Sequence, residues 1–255
     1  MYNERMKNVL ITGGTEGIGR ALADVMAAHG YRPVLVARNR EKLEQAAAEI
    51  KADYQLPAIA VQADLSQPGS AEKLYRKLQE LEIRIDILVN NAGTGFCGRS
   101  WEIPVADEEA MVMLNDVAMM SLTKLYVRDM TARNEGMILN IASMAAFQPG
   151  PYMAGYYASK AFVLSYSEAL AEEVKGTGVH VVCYCPGQVD TGFLTKANSR
   201  RNITAITARQ AAEQAYRALQ LKQPVYIGRL FDRASLLIPR GERKIILASI
   251  TLSMR

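Results

Sequence analysis

The chain predicts an α/β protein built on a doubly wound parallel sheet, and three observations predict it. Short apolar runs alternate with amphipathic helical stretches, a glycine-rich turn stands at the first strand-to-helix junction, and no linker, repeat or low-complexity segment interrupts the pattern. Continuous apolar strands imply a sheet buried on both faces, as parallel sheets are. Repeated strand–helix units in that order build a three-layer αβα, Rossmann-type domain. The 255 residues, 49% of them apolar, suffice for one large core, so residues 1–255 read as a single domain with a C-terminal extension over about 229–255.

The elements follow in order. Asn8 to Thr12 is the first strand and Ile18 to His29 a helix closed by Gly30, with His29 suited to the helix C-terminus. Pro33–Ala37, Ala58–Gln62, Ile85–Asn90, Met137–Ile141 and Val179–Tyr184 read as further strands, and Pro224–Gly228 as the last. Helices are expected over Glu41–Ala52, Ala71–Leu81, a long stretch from Glu108 to Arg133, Tyr152–Lys175, and Ala208–Leu221.

Composition excludes several functions. The formal charge of +4 is small and gives no reason to expect a nucleic-acid partner. The polar start, Met1 to Asn8, does not resemble a signal peptide, and no run nears the ~20 apolar residues of a membrane helix. Cys183 and Cys185 alternate along a strand, share a face and read as buried thiols; two histidines offer metals little, so no metal site is expected. A reduced, soluble, cytoplasmic protein is the expectation.

The first strand runs into Thr12-Gly13-Gly14-Thr15-Glu16-Gly17-Ile18-Gly19. Glycines let backbone turn tightly and approach a ligand, and a helix N-terminus offers unpaired N–H groups to a pyrophosphate. Alone the turn is a weak signal; at the first strand–helix junction of such a chain it points to a nucleotide. Tyr156 and Lys160, four positions apart on a helix, share one face. An ammonium ~5 Å from a phenol at an effective dielectric of ~20 favours the phenolate by roughly 3 kcal/mol, which tunes a general acid.

Thr12-Gly13-x-x-x-Gly17-x-Gly19, Asn90-Asn91-Ala92-Gly93, Ser143, Tyr156-x-x-x-Lys160 and Pro186-Gly187-x-Val189-x-Thr191 together resemble the short-chain dehydrogenase/reductase family, single-domain type, from about Val9 to Thr191. The resemblance implies a catalytic set of Asn115, Ser143, Tyr156 and Lys160. Tyr156 exchanges a proton with the substrate oxygen, Lys160 lowers its pKa and holds the nicotinamide ribose, Ser143 hydrogen-bonds the substrate oxygen, and Asn115 supports a proton-relay water. Asn115 also reads as a hydrogen-bonded helix kink. The implied cofactor contacts are Gly13, Thr15, Glu16, Gly17, Ile18 and Gly19 in the turn, Asp64 and Leu65 at the adenine, and Asn91, Ala92 and Gly93 along the cleft. Tyr156 and Lys160, with Pro186, Gly187, Val189 and Thr191, complete the nicotinamide end. Asp64 equally reads as a helix cap.

Cofactor choice turns on Ala37-Arg38-Asn39-Arg40, which puts arginine and no acid at the end of the second strand. A carboxylate there suits NAD, whereas a guanidinium accommodates the 2′-phosphate of NADP. NADP(H) is expected over NAD(H), although Glu16 stands where many NADP-preferring relatives carry a basic residue. Arg38 and Arg40 also read as solvated helix-start residues.

The expected activity is hydride transfer between NADP(H) and a carbonyl or alcohol, on an apolar substrate because Phe96, Phe147, Met153 and Phe193 fall in the implied pocket. The long stretch from Gly192 to Ala208, with Lys196, Arg200 and Arg201, is expected to close over ligand. A non-redox relative and an NADP-sensing regulator are the alternatives, both disfavoured by the intact Ser143, Tyr156 and Lys160. The family implies a homodimer or homotetramer. The tail, with Ile245–Leu252 beside Arg240, Arg243, Lys244 and Arg255, resembles an interfacial anchor, but a helix packed on the body or a partner subunit is preferred.

Overall fold

The computed structural model describes residues 5–193, 205–239 and 241–243. Its strands are β1 (Asn8–Thr12), β2 (Arg32–Ala37), β3 (Ile59–Gln62), β4 (Ile87–Asn90), β5 (Gly136–Ile141), β6 (Val179–Tyr184), β7 (Val189–Asp190), β8 (Ile206–Thr207) and β9 (Val225–Tyr226). The helices are α1 (Gly17–Ala28), α2 (Arg40–Tyr54), α3 (Ser70–Glu80), α4 (Val105–Val112), α5 (Met119–Ala132), α6 (Ala154–Glu173), α7 (Ala208–Leu221) and α8 (Leu230–Ser235). Seven parallel strands lie in the order β3-β2-β1-β4-β5-β6-β9, with β7 and β8 forming a small parallel pair. The order reverses between β1 and β4, so the crevice at their carboxyl ends is where such a sheet binds ligands. The expected Rossmann-type αβα sandwich is the fold observed.

Strand alternation fills two cores. Val9 and Ile11 of β1 face Leu22 and Met26 of α1 and Ala215 and Leu219 of α7, while Leu10 faces the cluster of Leu74, Leu78, Leu122 and Tyr126 under α3 and α5. Fully buried Leu10, Leu35 and Leu88 each contribute about 1.5–3 kcal/mol by leaving water. Cys183 and Cys185 share one cluster, both fully buried and unbridged, with sulfurs 3.9 Å apart.

A polar chain also crosses the buried layer. The Asn90 amide donates to Thr123 Oγ1 (2.9 Å) and Asn140 Oδ1 (2.8 Å), and the Asn140 amide donates to Ser167 Oγ (2.9 Å). These bonds tie the carboxyl ends of β4 and β5 to α5 and α6, fixing the elements that carry the site.

Several boundaries differ from the sequence reading, three of them with an evident physical cause. The stretch from Glu108 to Arg133 is not one α-helix: α4 begins earlier, at Val105, and Met113–Ala118 forms a π-helical segment before α5. Tyr152 does not start α6, because its φ of 66° is left-handed; the helix begins at Ala154 and ends at Glu173. The fourth strand is shorter than Ile85–Asn90, beginning at Ile87, because the Asp86 carboxylate takes the Asn8 N–H (2.8 Å) and the Arg5 guanidinium (2.5 Å) there. Among the described residues no helix is long and apolar enough to cross a membrane. The basic residues Lys196, Arg200 and Arg201 and the tail segment Ile245–Leu252 lie outside the described residues.

Candidate active site

A cavity of about 670 Å³ opens at the carboxyl ends of β1, β2, β4, β5 and β6, and it brings together residues scattered from Gly13 to Ser235. Its floor at one end is the glycine turn. Gly13 and Gly17 have φ of 68° and 55°, a region that favours glycine. A Cβ on Gly19 would overlap the Gly13 carbonyl and the Asn91 amide, so Gly19 stands behind the turn and lets it fold close. Glu16 is the N-cap residue of α1, and its side chain makes no capping hydrogen bond. The first N–H groups of that helix therefore point at the cavity edge formed by Thr15, Glu16, Gly17 and Ile18.

Thr12 and Asn91 hold this turn. Thr12 Oγ1 accepts the N–H groups of Asn91 and Ala92 (3.0 Å each), and the Asn91 amide donates to the carbonyls of Thr12 (2.9 Å) and Gly13 (3.3 Å). Asn91, Ala92 and Gly93 line the cavity, and the Asn91 side chain is also the strut that joins β4 to the turn. The fit to a dinucleotide is thus written in the backbone: a Cβ-free turn, an uncapped helix start and a cleft at the sheet's switch point.

Beyond the glycine turn the cavity is lined by Arg38, Asp64, Leu65 and Lys42. Arg40 turns away and pairs with Glu44 (2.7 Å), as a solvated helix-start residue does, whereas Arg38 lies on the cavity wall. Glu16 is bonded to Lys42, so a cation stands against the one acid in the turn. The Asp64 carboxylate accepts from Ser66 N–H (3.1 Å) and Ser66 Oγ (2.7 Å). Burial works against its charge, but the Ser66 and Gln67 bonds and the Arg38 charge hold its pKa below the usual value. It shapes the turn after β3 rather than capping α3, which starts at Ser70.

At the other end Ser143, Tyr156 and Lys160 converge on the cavity wall. Ser143 lies two residues beyond the end of β5 and caps a short 3₁₀ turn, its Oγ accepting from Ala145 N–H (3.1 Å). The Tyr156 ring packs 5.2 Å from the Phe193 ring, and a Cβ at Gly95 would stand 2.8 Å from it, so a glycine is needed beneath the phenol. Burial pushes the Tyr156 phenol up to about 12, and the hydrogen bond with Ser143 is what pulls the other way. Lys160 Nζ donates to the Ile141 carbonyl (3.0 Å) and lies 5.8 Å from the Tyr156 ring centre. The expected lowering of the phenol by Lys160 is therefore not the dominant effect; an ammonium turned onto a carbonyl competes poorly with desolvation. The Lys160 pKa is itself lowered by burial, with Asp116 opposing.

Asn115 is buried in the π segment and does not line the cavity. Its amide donates to the Thr94 carbonyl (2.9 Å) and Ser159 Oγ (3.0 Å), while its oxygen accepts from Thr94 N–H (3.0 Å). It locks the strand-exit loop after Gly93 onto α6, one residue before Lys160.

Pro186, Gly187, Val189 and Thr191 line the roof, and a Cβ on Gly17 would stand 3.2 Å from the Thr191 methyl, so roof and floor nearly touch. Phe193, Met144 and Met153 make the cavity wall near Tyr156 apolar, whereas Phe96 and Phe147 are not among the lining residues. Sequence reasoning missed Lys42, Asp232 and Ser235, which also line the cavity. No local signal marks the last two: pairing of β9 with β6 carries α8 back over Gly187, where a Cβ would meet the Asp232 carboxylate at 2.6 Å.

Comparison with known proteins accords with this geometry. The short chain dehydrogenase family model matches residues 7–202, and the chain belongs to that family of oxidoreductases, which use NAD(H) or NADP(H). A 7beta-hydroxysteroid dehydrogenase of Collinsella aerofaciens is 37% identical over 172 residues, 68% of this chain and 65% of that protein. A very-long-chain 3-oxoacyl-CoA reductase of Anas platyrhynchos is 36% identical over 188 residues, 71% of this chain and 59% of its own length. The chain thus matches under two thirds of the length of either relative. The structure of a short-chain dehydrogenase from Sphingobium yanoikuyae in complex with NADPH superposes with a TM-score of 0.84 at 29% identity, over 96% of each chain.

Proposed function

We propose that the protein is an NADP(H)-dependent reductase of apolar ketones or aldehydes, run in reverse as an alcohol dehydrogenase. The observation that carries this reading is the single cavity with a Cβ-free pyrophosphate turn at one end and Ser143, Tyr156 and Lys160 at the other. Bound nicotinamide would supply the hydride. Gly13, Thr15, Gly17 and Ile18 would hold the pyrophosphate through backbone N–H groups and the α1 dipole. Arg38 would take the ribose 2′-phosphate with a charge-assisted bond, and Lys42 neutralises Glu16 so that the acid does not repel it. Asp64 and Leu65 would meet the adenine, and Val189 and Thr191 the carboxamide.

Tyr156, with its phenol raised to about 12, stays protonated through the neutral range and is held as an acid. It would give that proton to the substrate oxygen while Ser143 Oγ donates a hydrogen bond to the same atom. Lys160 would hold the ribose hydroxyls and stabilise the phenolate left behind. Asn115 would fix the loop and helix that place Lys160. The apolar wall of Met144, Met153 and Phe193 favours a bulky hydrophobic carbonyl, in keeping with relatives named for hydroxysteroids and long acyl chains.

The test is NADPH oxidation followed by absorbance across a panel of steroidal and aliphatic ketones, aldehydes and diketones, with NADH in parallel. Turnover with NADPH and bulky ketones is the expected result. Cofactor binding without turnover over the whole panel would replace this reading with an NADP sensor, and equal efficiency with NADH would remove the cofactor preference.

A further inference from the structure

Three acids line the cavity: Glu16, Asp64 and Asp232. Glu16 is bonded to Lys42 and Asp64 accepts from Ser66, so two of the three are satisfied within the fold. Asp232 is different. Its side chain is only 12% exposed, yet its carboxylate accepts no hydrogen bond from the described residues. The one charged group among them that acts on it is Arg229, at the start of α8, with Nε 3.8 Å from Oδ2. That separation balances charge but is too long for a hydrogen bond. The carboxylate therefore brings its acceptor capacity to the cavity wall unspent.

The fold makes room for this group. A Cβ on Gly187 would stand 2.6 Å from Oδ2 and 3.0 Å from Cγ of Asp232, so the carboxylate fills the space that the glycine leaves. The preceding residue, Pro186, accepts the Met144 N–H (2.8 Å), which ties this part of the roof to the turn that Ser143 caps. Asp232 thus stands at the Ser143 end of the cavity, away from Arg38. Ser235, three residues on and on the same face of α8, lines the cavity as well. Its hydroxyl proton is committed to the Asp232 carbonyl (2.7 Å), which leaves its oxygen as an acceptor. From α8 these two side chains offer acceptors alone, whereas Met144, Met153 and Phe193 are apolar.

Resting on the reductase reading above, we propose that Asp232 is a specificity-determining residue. The substrate it selects is a bulky ketone with a free hydroxyl remote from the carbonyl, and that hydroxyl donates to the Asp232 carboxylate. A ligand lacking the donor would cover the carboxylate without replacing its lost hydration, which is how a buried polar group rejects a near match. Burial already works against this charge and Arg229 opposes that effect, so a neutral hydroxyl completes the pair without adding a second cation. A carboxylate at the same end of the substrate would bring like charge and no donor, and is rejected.

The experiment measures kcat/KM with NADPH for a matched set of steroidal ketones whose group farthest from the carbonyl is hydroxyl, hydrogen, methoxy or carboxylate. Wild type is expected to prefer the hydroxyl ketone about tenfold or more over the hydrogen and methoxy ketones, the worth of a hydrogen bond to a charged acceptor, with the carboxylate ketone poorest. Asp232→Ala should abolish that preference and Asp232→Asn should narrow it, while the NADPH Kd and kcat/KM for the hydrogen ketone stay within about twofold. No preference in the wild type would overturn the proposal. So would an equal loss for every ketone, which marks a merely structural hold on α8, or a weakened NADPH Kd, which marks a contact with the cofactor. Should Asp232→Ala fail to fold, Asp232→Asn decides: a narrowed preference supports the assignment and an unchanged one refutes it. A wild type that reduces no ketone would defeat the reductase reading instead. Equilibrium dialysis of the hydroxyl and hydrogen ketones against the NADP-loaded protein, wild type and Asp232→Asn, would still judge Asp232 by the same preference.

Discussion

Tyr156 and its neighbour Tyr157 both line the cavity, and only Tyr156 has the Ser143 hydroxyl beside it. Tyr156→Phe should cut kcat by about 10²- to 10⁴-fold, the usual worth of a general acid, while the NADPH Kd stays within a few-fold. Tyr157→Phe should be mild; swapped phenotypes in the same steady-state assay would show the wrong phenol has been chosen. Asp116 gives a second expectation, this one about stability. Its carboxyl is raised to about 7 in the folded protein against an ordinary 3.8, so its contribution is fully present below pH ~4 and is lost as pH rises through 7. Asp116→Asn should therefore be more stable than the wild type at pH 8, by on the order of a few kcal/mol in urea unfolding, and nearly equal near pH 4. Tyr156 and Lys160 were legible in the sequence because their spacing and company are distinctive. The fate of the phenol was not, since desolvation depends on Gly95 and Phe193, which arrive from distant segments.

The glycine turn and the π segment behave differently as elements. The turn is legible because glycine is demanded by local backbone: φ above zero at Gly13 and Gly17, and contact at Gly19. Gly19→Ala should weaken NADPH binding by at least about tenfold in fluorescence titration, because the turn must open away from Asn91, while the rest of the sheet keeps its stability. The π segment leaves a fainter trace, the polar Asn115 that reads as a hydrogen-bonded kink in a mainly apolar helical stretch. Met-Leu-Asn-Asp-Val-Ala has ordinary helical composition, and only tertiary bonds from Asn115 to Thr94 and Ser159 make the wider turn worth its poorer geometry. Likewise the reading of Tyr152 as helical failed because its left-handed φ is imposed by the turn at Gly150-Pro151, not by any preference of tyrosine. The polar chain from Asn90 through Asn140 to Ser167 is also invisible to pattern reading, since Asn90 and Asn140 interrupt otherwise apolar strands. Asn140→Ala should cost about 1–3 kcal/mol in denaturant unfolding by leaving the Asn90 amide and the Ser167 hydroxyl short of a partner.

Across the whole molecule the cavity joins elements from β1 to α8, so a dinucleotide would tie both halves of the sheet together. NADPH at about 100 times its Kd should add about 2.7 kcal/mol and raise Tm by several degrees, and NADH at the same concentration should add less. Arg38→Ala should erase the difference between the two cofactors in that thermal-shift assay. The doubly wound layering was legible because apolar strands alternate with amphipathic helices along the chain, whereas the back wall was not, because it is delivered by chain return rather than by motif. That delivery has its own consequence. The family-matched region ends at residue 202, yet Asp232 and Ser235 reach the cavity through α8, which follows the two-residue pairing of β9 with β6. Under the proposed function the segment after β9 acts as an end-piece, through which substrate range can change without disturbing Ser143, Tyr156 or Lys160.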